Sequence, residues 1–326
     1  MLMTAGERIS MALLAMCLDE EGVPAISFTG SQTGIVTTSD HTEARILEIR
    51  PQRAVAALEQ GRVVIIAGFQ GVSREREVTT LGRGGSDTSA VALAAALGAE
   101  YCEILTDVDG LHTADPRLVP SARTIPECSY EEALEMASLG AKMQGRSIDL
   151  ARRYRVAVRI GTSAAADSSG TWIRGNGEKA MEKSRIVGVA TEDGYSFLET
   201  GARLDRLARI SDTCRAGLRF FQQSEAGTSL AVQSDRMSAL CQALDREGIT
   251  YRERQGMAIA SVVGEGLVSS SDLLPRFLDA LAAAGAEPVL ICCNSFSLTA
   301  VITSELQAPA ARALHDRLIP SPGKPA

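Results

Sequence analysis

Val63-Val64-Ile65-Ile66-Ala67-Gly68-Phe69 is an unbroken apolar run rich in β-branched residues. Such a run is expected of a strand buried on both faces of a parallel sheet. Beyond it stands Thr79-Thr80-Leu81-Gly82-Arg83-Gly84-Gly85-Ser86-Asp87-Thr88-Ser89, which leads directly into an alanine-rich helix expected over 86–97. Glycines let a backbone approach a ligand closely, and the free N–H groups of a helix N-terminus bind anions. Arg83 adds a planar fork suited to a carboxylate. A tight turn with Ser86 or Asp87 as an ordinary N-cap would also explain the glycines. The arginine, and the position beyond a buried strand, favour a binding site.

Outward from this stretch, strands and helices alternate. The spacing predicts a helix over 4–22, closed by Gly22 and Pro24, then strands at 25–29 and 46–50 and a helix at 52–61. A strand at 102–106 follows, then a helix opened by the capping box Ser129-x-x-Glu132, a helix at 146–155 and a strand at 156–160. This rhythm implies βαβ units in a three-layer αβα sandwich with a mostly parallel sheet. Loop compositions over 163–185 mark a boundary. Beyond it a β-α-β-β-α plan occurs twice, the ferredoxin-like arrangement. The first copy has strands at 186–191, 195–199, 216–222 and 228–233 and helices at 202–211 and 236–247. The second has strands at 257–263, 288–293 and 297–302 and helices at 271–284 and 308–318. The expected domains are therefore 1–175, 186–255 and 256–319.

Composition excludes several function classes. The 326 residues carry 33 basic and 40 acidic side chains, a net charge of −7. That balance argues against a nucleic-acid or anionic-membrane surface. No apolar stretch approaches the roughly 18 residues of a membrane span, and the first residues lack a signal-peptide pattern. Seven cysteines without C-x-x-C spacing read as buried reduced thiols in apolar runs, such as those around Cys17 and Cys292-Cys293. No metal-ligand pattern is evident, and a cytoplasmic location follows. Lysine is confined to Lys142, Lys179, Lys183 and Lys324.

A second dense segment is Thr106-Asp107-Val108-Asp109-Gly110-Leu111-His112-Thr113-Ala114-Asp115-Pro116-Arg117. It follows a predicted strand, at the carboxyl edge where open α/β sheets bind ligands. An Asx-turn followed by an Asp-Pro turn is the plainer explanation of this segment alone. Together with Met3–Ser10, Thr29–Gly34, Gly68–Gly71, Thr80–Thr88 and Leu139–Lys142, in that order, it resembles the aspartokinases of the amino acid kinase family. The likeness covers nearly the whole chain, is nearest the actinobacterial type, and makes the two C-terminal repeats similar to ACT domains.

The resemblance implies transfer of the γ-phosphate of ATP, as its Mg2+ complex, to the β-carboxylate of L-aspartate, the step that opens the route to lysine, threonine and methionine. It implies that Glu7 holds the substrate ammonium, and that Arg83 with Gly84, Gly85 and Ser86 holds the substrate carboxylate. Thr106, Asp107, His112, Thr113, Ala114, Asp115, Pro116, Arg117, Lys142 and Met143 would line the nucleotide site, with Arg83 and Asp107 acting in catalysis. Two of these have plainer explanations as well: Glu7 as a first-turn helix acid and Arg117 as a surface pairing residue. An ionised carboxylate needs no general base, so positioning and charge neutralisation carry the rate. A homodimer formed through the ACT-like repeats is the expected assembly.

Three departures accompany the likeness. The K-x-G-G-[ST] phrase with which family members begin does not occur, and loss of its lysine would cost several orders of magnitude in rate. Arg146 arrives one residue early after Lys142, so the loop there is expected to be reshaped. In the first repeat Glu199-Thr200-Gly201-Ala202 replaces a D-x-P-G-type effector turn, and in the second Cys293-Asn294-Ser295-Phe296 replaces S-T-S-E. Weak feedback by lysine plus threonine is expected. The alternatives to a working aspartate kinase are a catalytically impaired paralogue that partners a complete aspartokinase, and a kinase for another amino-acid carboxylate in a specialised pathway.

Overall fold

The computed structural model describes residues 2–141, 143–164, 170–175 and 185–319. By their contacts these residues fall into two units. The first is drawn from Met1–Gly110, Pro126–Leu134 and Met143–Asn176, the second from Leu111–Ile125, Glu135–Lys142 and Gly177–Ala326. The stretch expected as one domain over 1–175 is thus shared, two of its segments packing with the C-terminal repeats.

In the first unit, α1 (Leu2–Glu20) leads to β1 (Ala25–Phe28), β2 (Ile35–Thr37), β3 (Ile46–Ile49), α2 (Gln52–Glu59) and β4 (Val63–Ile66). Next come β5 (Gln70–Ser73), β6 (Val78–Thr80), α3 (Gly85–Leu97) and β7 (Tyr101–Thr106). After the excursion into the second unit the chain forms β8 (Glu127–Cys128), α4 (Tyr130–Ser138, counted with the second unit from Glu135 on), α5 (Gly145–Tyr154), β9 (Ala157–Thr162) and β10 (Thr171–Ile173). β1 pairs parallel to β4 and β7 parallel to β9, the βαβ pairings expected from the alternation. The strands β3-β2-β5-β6 form a mixed sheet, and β10 and β8 extend the β7-β9 pair. One expectation needs correction. The strand in 63–69 ends at Ile66 and is not buried on both faces: β1 is its sole strand partner among the described residues, and Val63 is 42% exposed. The capping box at Ser129 forms as read. The Ser129 N–H donates to Glu132 Oε2 at 2.8 Å and the Glu132 N–H to Ser129 Oγ at 3.1 Å.

The second unit holds the two repeats. The first runs β11 (Arg185–Thr200), α6 (Leu204–Cys214), β12 (Phe220–Ser224), β13 (Gly227–Gln233) and α7 (Ser234–Arg246). The second runs β14 (Tyr251–Glu265), α8 (Leu273–Ala283), β15 (Leu290–Cys293), β16 (Ser297–Thr303) and α9 (Gln307–Leu318). All six strands form one antiparallel sheet, ordered β12-β13-β11-β14-β16-β15. The long strands are shared. Residues 195–200 of β11 pair with β13 on one side and with 251–257 of β14 on the other. Residues 257–263 of β14 pair with β16 on one side, and β14 receives the start of β11 on the other. Each ferredoxin-like repeat therefore takes its fourth strand from the other. Two strands expected at 186–191 and 195–199 are one bulged strand, because register shifts between Glu192 and Tyr195 absorb the polar Glu192-Asp193-Gly194 break. Separate cores lie under the sheet, one around Leu207, Leu230 and Leu240, the other around Phe277, Ala300 and Leu314.

All seven cysteines are free thiols, as expected, but burial holds for few: Cys102 and Cys128 are buried, whereas Cys17 and Cys293 are exposed. Among the described residues no helix is long and apolar enough to cross a membrane.

Candidate functional site

The glycine loop in front of α3 is built by backbone. Gly82 (φ 79°) and Gly84 (φ 63°) sit in the left-handed region, open to glycine at little cost. Gly85, the first helical residue, packs so closely that a Cβ would lie 2.9 Å from the Phe69 ring. α3 has no side-chain N-cap bond, so its early N–H groups converge on the loop without a side-chain acceptor from the cap residue. Ser89 ties the helix to the link between β4 and β5: its hydroxyl donates to Gly85 O at 2.6 Å and accepts the Phe69 N–H at 3.0 Å. Phe69 itself is held at φ 66°, an unusual state for an aromatic residue. Burial raises the pKa of Asp87 in the first turn.

Arg83 and Ser86 are exposed, and Arg83 makes no side-chain hydrogen bond or ion pair among the described residues. Its fork is available to a ligand. The residue that shapes the loop is Arg146, at the start of α5. Its Nη1 donates to Leu81 O and its Nη2 to Ala44 O, both at 2.7 Å. Burial, with Arg45 adding repulsion, lowers its pKa. The sequence marked Arg146 only as early in the pattern. No local signal could reveal partners that are backbone carbonyls far along the chain.

Glu7 is exposed on α1 and has no partner among the described residues. Its neighbour Arg8 donates from Nε to Gln70 Oε1 at 3.2 Å, and Gln70 is buried with its Nε2 unpaired. The Gln70 carbonyl approaches Gly30 so closely that a Cβ there would lie 2.2 Å from it. At the carboxyl end of β7, the Thr106 hydroxyl donates to Asp107 Oδ1 at 3.0 Å, and Asp107 is exposed. Met143 is half-buried just before α5, while Lys142 lies outside the described residues.

In the second unit, His112 bridges Thr124 across an antiparallel turn, and Thr113 and Ala114 are buried. Asp115 Oδ1 accepts the Arg117 N–H at 2.9 Å, an Asx-turn, and the Arg117 guanidinium binds the same carboxylate with two of its nitrogens. The plainer explanations of Asp115-Pro116 and Arg117 therefore hold as structure. Also in this unit, a cavity of about 370 Å³ opens beside Glu199, Thr200 and Gly201, where β11 turns toward α6. Among the described residues no cluster of three or more His, Cys, Asp or Glu is placed to hold a metal ion.

The profile of the amino acid kinase family matches residues 1–162. An aspartokinase of Corynebacterium efficiens is 39% identical over 340 residues, spanning 97% of this chain and 80% of that protein. One from Geobacillus stearothermophilus is 38% identical over the same shares. Among solved structures, Escherichia coli aspartokinase III in complex with aspartate and ADP superposes with a TM-score of 0.82 at 25% identity. That superposition covers 97% of this chain and 74% of the other. Fold and loop thus define an amino acid kinase with a ferredoxin-like C-terminal half. The chain belongs to the aspartokinases.

Proposed function

We propose that this chain transfers the γ-phosphate of ATP to the β-carboxylate of L-aspartate, forming 4-phospho-L-aspartate for lysine, threonine and methionine synthesis in the cytoplasm. The observation that carries the reading is the N-terminus of α3, with Arg83 uncommitted in front of it. The related E. coli enzyme is known with aspartate and ADP. In the proposed roles Arg83 binds the substrate α-carboxylate as a fork, assisted by the backbone of Gly84, Gly85 and Ser86. Glu7 takes the ammonium. These contacts leave the β-carboxylate, already ionised, as the nucleophile, so no side chain has to remove a proton. Thr106, Asp107, His112–Arg117, Lys142 and Met143 line the nucleotide. Mg2+, when bound, would neutralise phosphate charge, and Asp107 is the carboxylate that would hold it or its waters. The expected assembly is a homodimer formed through the ACT-like repeats.

The test is ADP release with Mg-ATP and L-aspartate, with wild type and Arg83→Met, alone and mixed with a complete aspartokinase. Aspartate-dependent turnover that collapses in Arg83→Met supports the reading. Turnover with a different amino acid but not aspartate refutes the acceptor. Silence alone, with altered turnover of the complete enzyme, identifies the impaired partner subunit instead.

A further inference from the structure

We propose that His315, on the last helix of the second repeat, is a positioning residue for the segment His112–Arg117. The inference rests on the assignment of that segment to the nucleotide. Thr113 is bonded on every side. Its N–H donates to Arg123 O at 2.8 Å, its carbonyl accepts the Val189 N–H at 2.7 Å, and its hydroxyl accepts the Arg123 N–H at 3.1 Å. The remaining contact is with His315 Nε2, at 2.9 Å and 202 residues away, between side chains that are both buried. Ala114 and Val119 belong to the same apolar core as Leu314 and Leu318 of α9. Thr113 to Val119 is thus built on the second repeat, while Asp115–Arg117 stays at its surface.

The direction of the bond follows from a proton count. If Nε2 carried the ring proton, the Thr113 hydroxyl hydrogen and the Nδ1 lone pair would both be left without a partner. With the proton on Nδ1, the hydroxyl donates to Nε2 and only Nδ1 is unpaired, with Asp316 Oδ1 at 3.8 Å. His315 is therefore a neutral acceptor. An apolar side chain would fill this space without an orphaned ring nitrogen, so packing alone does not account for an imidazole. What the imidazole adds is a fixed rotamer for Thr113, and with it the path of the backbone into Ala114-Asp115-Pro116-Arg117.

The full-length chain decides the matter with His315→Leu, His315→Gln and Thr113→Val. Glutamine keeps an acceptor at the position of Nε2; leucine and valine abolish the bond. Losing one buried hydrogen bond corresponds to roughly a fivefold to tenfold change in an equilibrium constant. Amide exchange over 111–125 is expected to speed up by that factor in the leucine variant, by more in the valine variant, which also takes the acceptor from the Arg123 N–H, and to stay near wild type in the glutamine variant. Calorimetry should show ADP affinity weakened to the same degree, without additivity in the Thr113→Val/His315→Leu double variant, and L-aspartate affinity unchanged. Should the leucine variant not fold, the isosteric Thr113→Val carries the same comparison. ADP binding indifferent to these substitutions, or equal loss of ADP and aspartate binding, overturns the proposal while leaving the nucleotide assignment standing. Failure of the wild type to bind ADP sinks the assignment and this role with it.

Discussion

Arg146 is where a single side chain does most to hold the Gly82–Ser86 loop. Its guanidinium spans Leu81 O and Ala44 O, each at 2.7 Å, the short end of the charge-assisted range. Arg146→Met keeps the aliphatic stem and removes both donors. Hydrogen bonds from a charged group are worth about 1.5–3 kcal/mol each, a gross loss of about 3–6 kcal/mol for two. One gain offsets part of this: the desolvation that lowers the arginine's pKa disappears, while the carbonyls of the buried Leu81 and Ala44 are left without a donor. The net expectation is destabilisation of about 2–3 kcal/mol. Arg146→Lys should lose about half of that, because one compact ammonium does not reproduce a fork across two carbonyls. Urea unfolding followed by a probe in the first unit measures it; with a slope of about 2 kcal/mol/M the midpoint should fall by about 1 M. The same variants should raise KM for aspartate more than KM for ATP, since Leu81 opens the Gly82–Ser86 loop. A methionine variant within about 0.5 kcal/mol of wild type, or a lysine variant equal to it, would refute the assignment of Arg146 as the brace of this loop.

Gly84→Ala should cost about 1–2 kcal/mol, from the left-handed φ of 63° and a Cβ that would meet Gln144 Cγ at 1.9 Å. Adding Gln144→Ala should recover most of the steric part, its own Cβ still lying 2.7 Å away, and full recovery of the melting temperature would show that the backbone state imposes no cost. Ser129→Ala removes one half of the capping box and should destabilise by about 1 kcal/mol in urea unfolding, a value near zero counting against the box. Burial, with Arg123 adding to it and Asp316 opposing, lowers the pKa of His315. Above about pH 6.5 the ring is neutral folded and unfolded and contributes no pH dependence. Below that value the unfolded chain takes up a proton the folded one refuses, so stability falls with pH until the lowered native value is passed. His315→Gln should remove this acid-side loss, and melting curves of the two proteins that stay parallel between pH 7 and 5 would contradict the sign.

Much of this architecture is legible where the chain repeats a strong pattern. Pattern located α5 and the four helices of the repeats to within a few residues, because each buries one apolar face, and alanine-rich composition located α3, whose residues 91–94 are all buried. The short strands Ile35–Thr37, Gln70–Ser73 and Val78–Thr80 went unread, since three or four residues are too few to show alternation. The sharing of β11 and β14 was equally hidden: which strand completes a sheet is a question of partners, and Glu192-Asp193-Gly194 imitates a turn. At the site, Arg83 and the glycines were visible because they stand next to one another. Arg146, Gln70 and His315 were not assigned there, because their partners lie 62 to 202 residues away.

The two singled-out segments carry an arginine each, and the structure separates their roles. Arg83 presents a free fork in front of a helix N-terminus, a place where an anion gains from both. Arg117 is 71% exposed but already spends its fork on Asp115, so that pair offers a bound nucleotide nearly no net charge. The segment 112–117 is therefore suited to shaping a nucleotide pocket through its backbone and its fixed path, and poorly suited to neutralising phosphates. If the proposed reaction proceeds, that charge has to be met by Mg2+ and by cations outside this segment. The stiffness built into Thr113 then has a physical purpose: a loop that contributes shape rather than charge is useful only if it does not move.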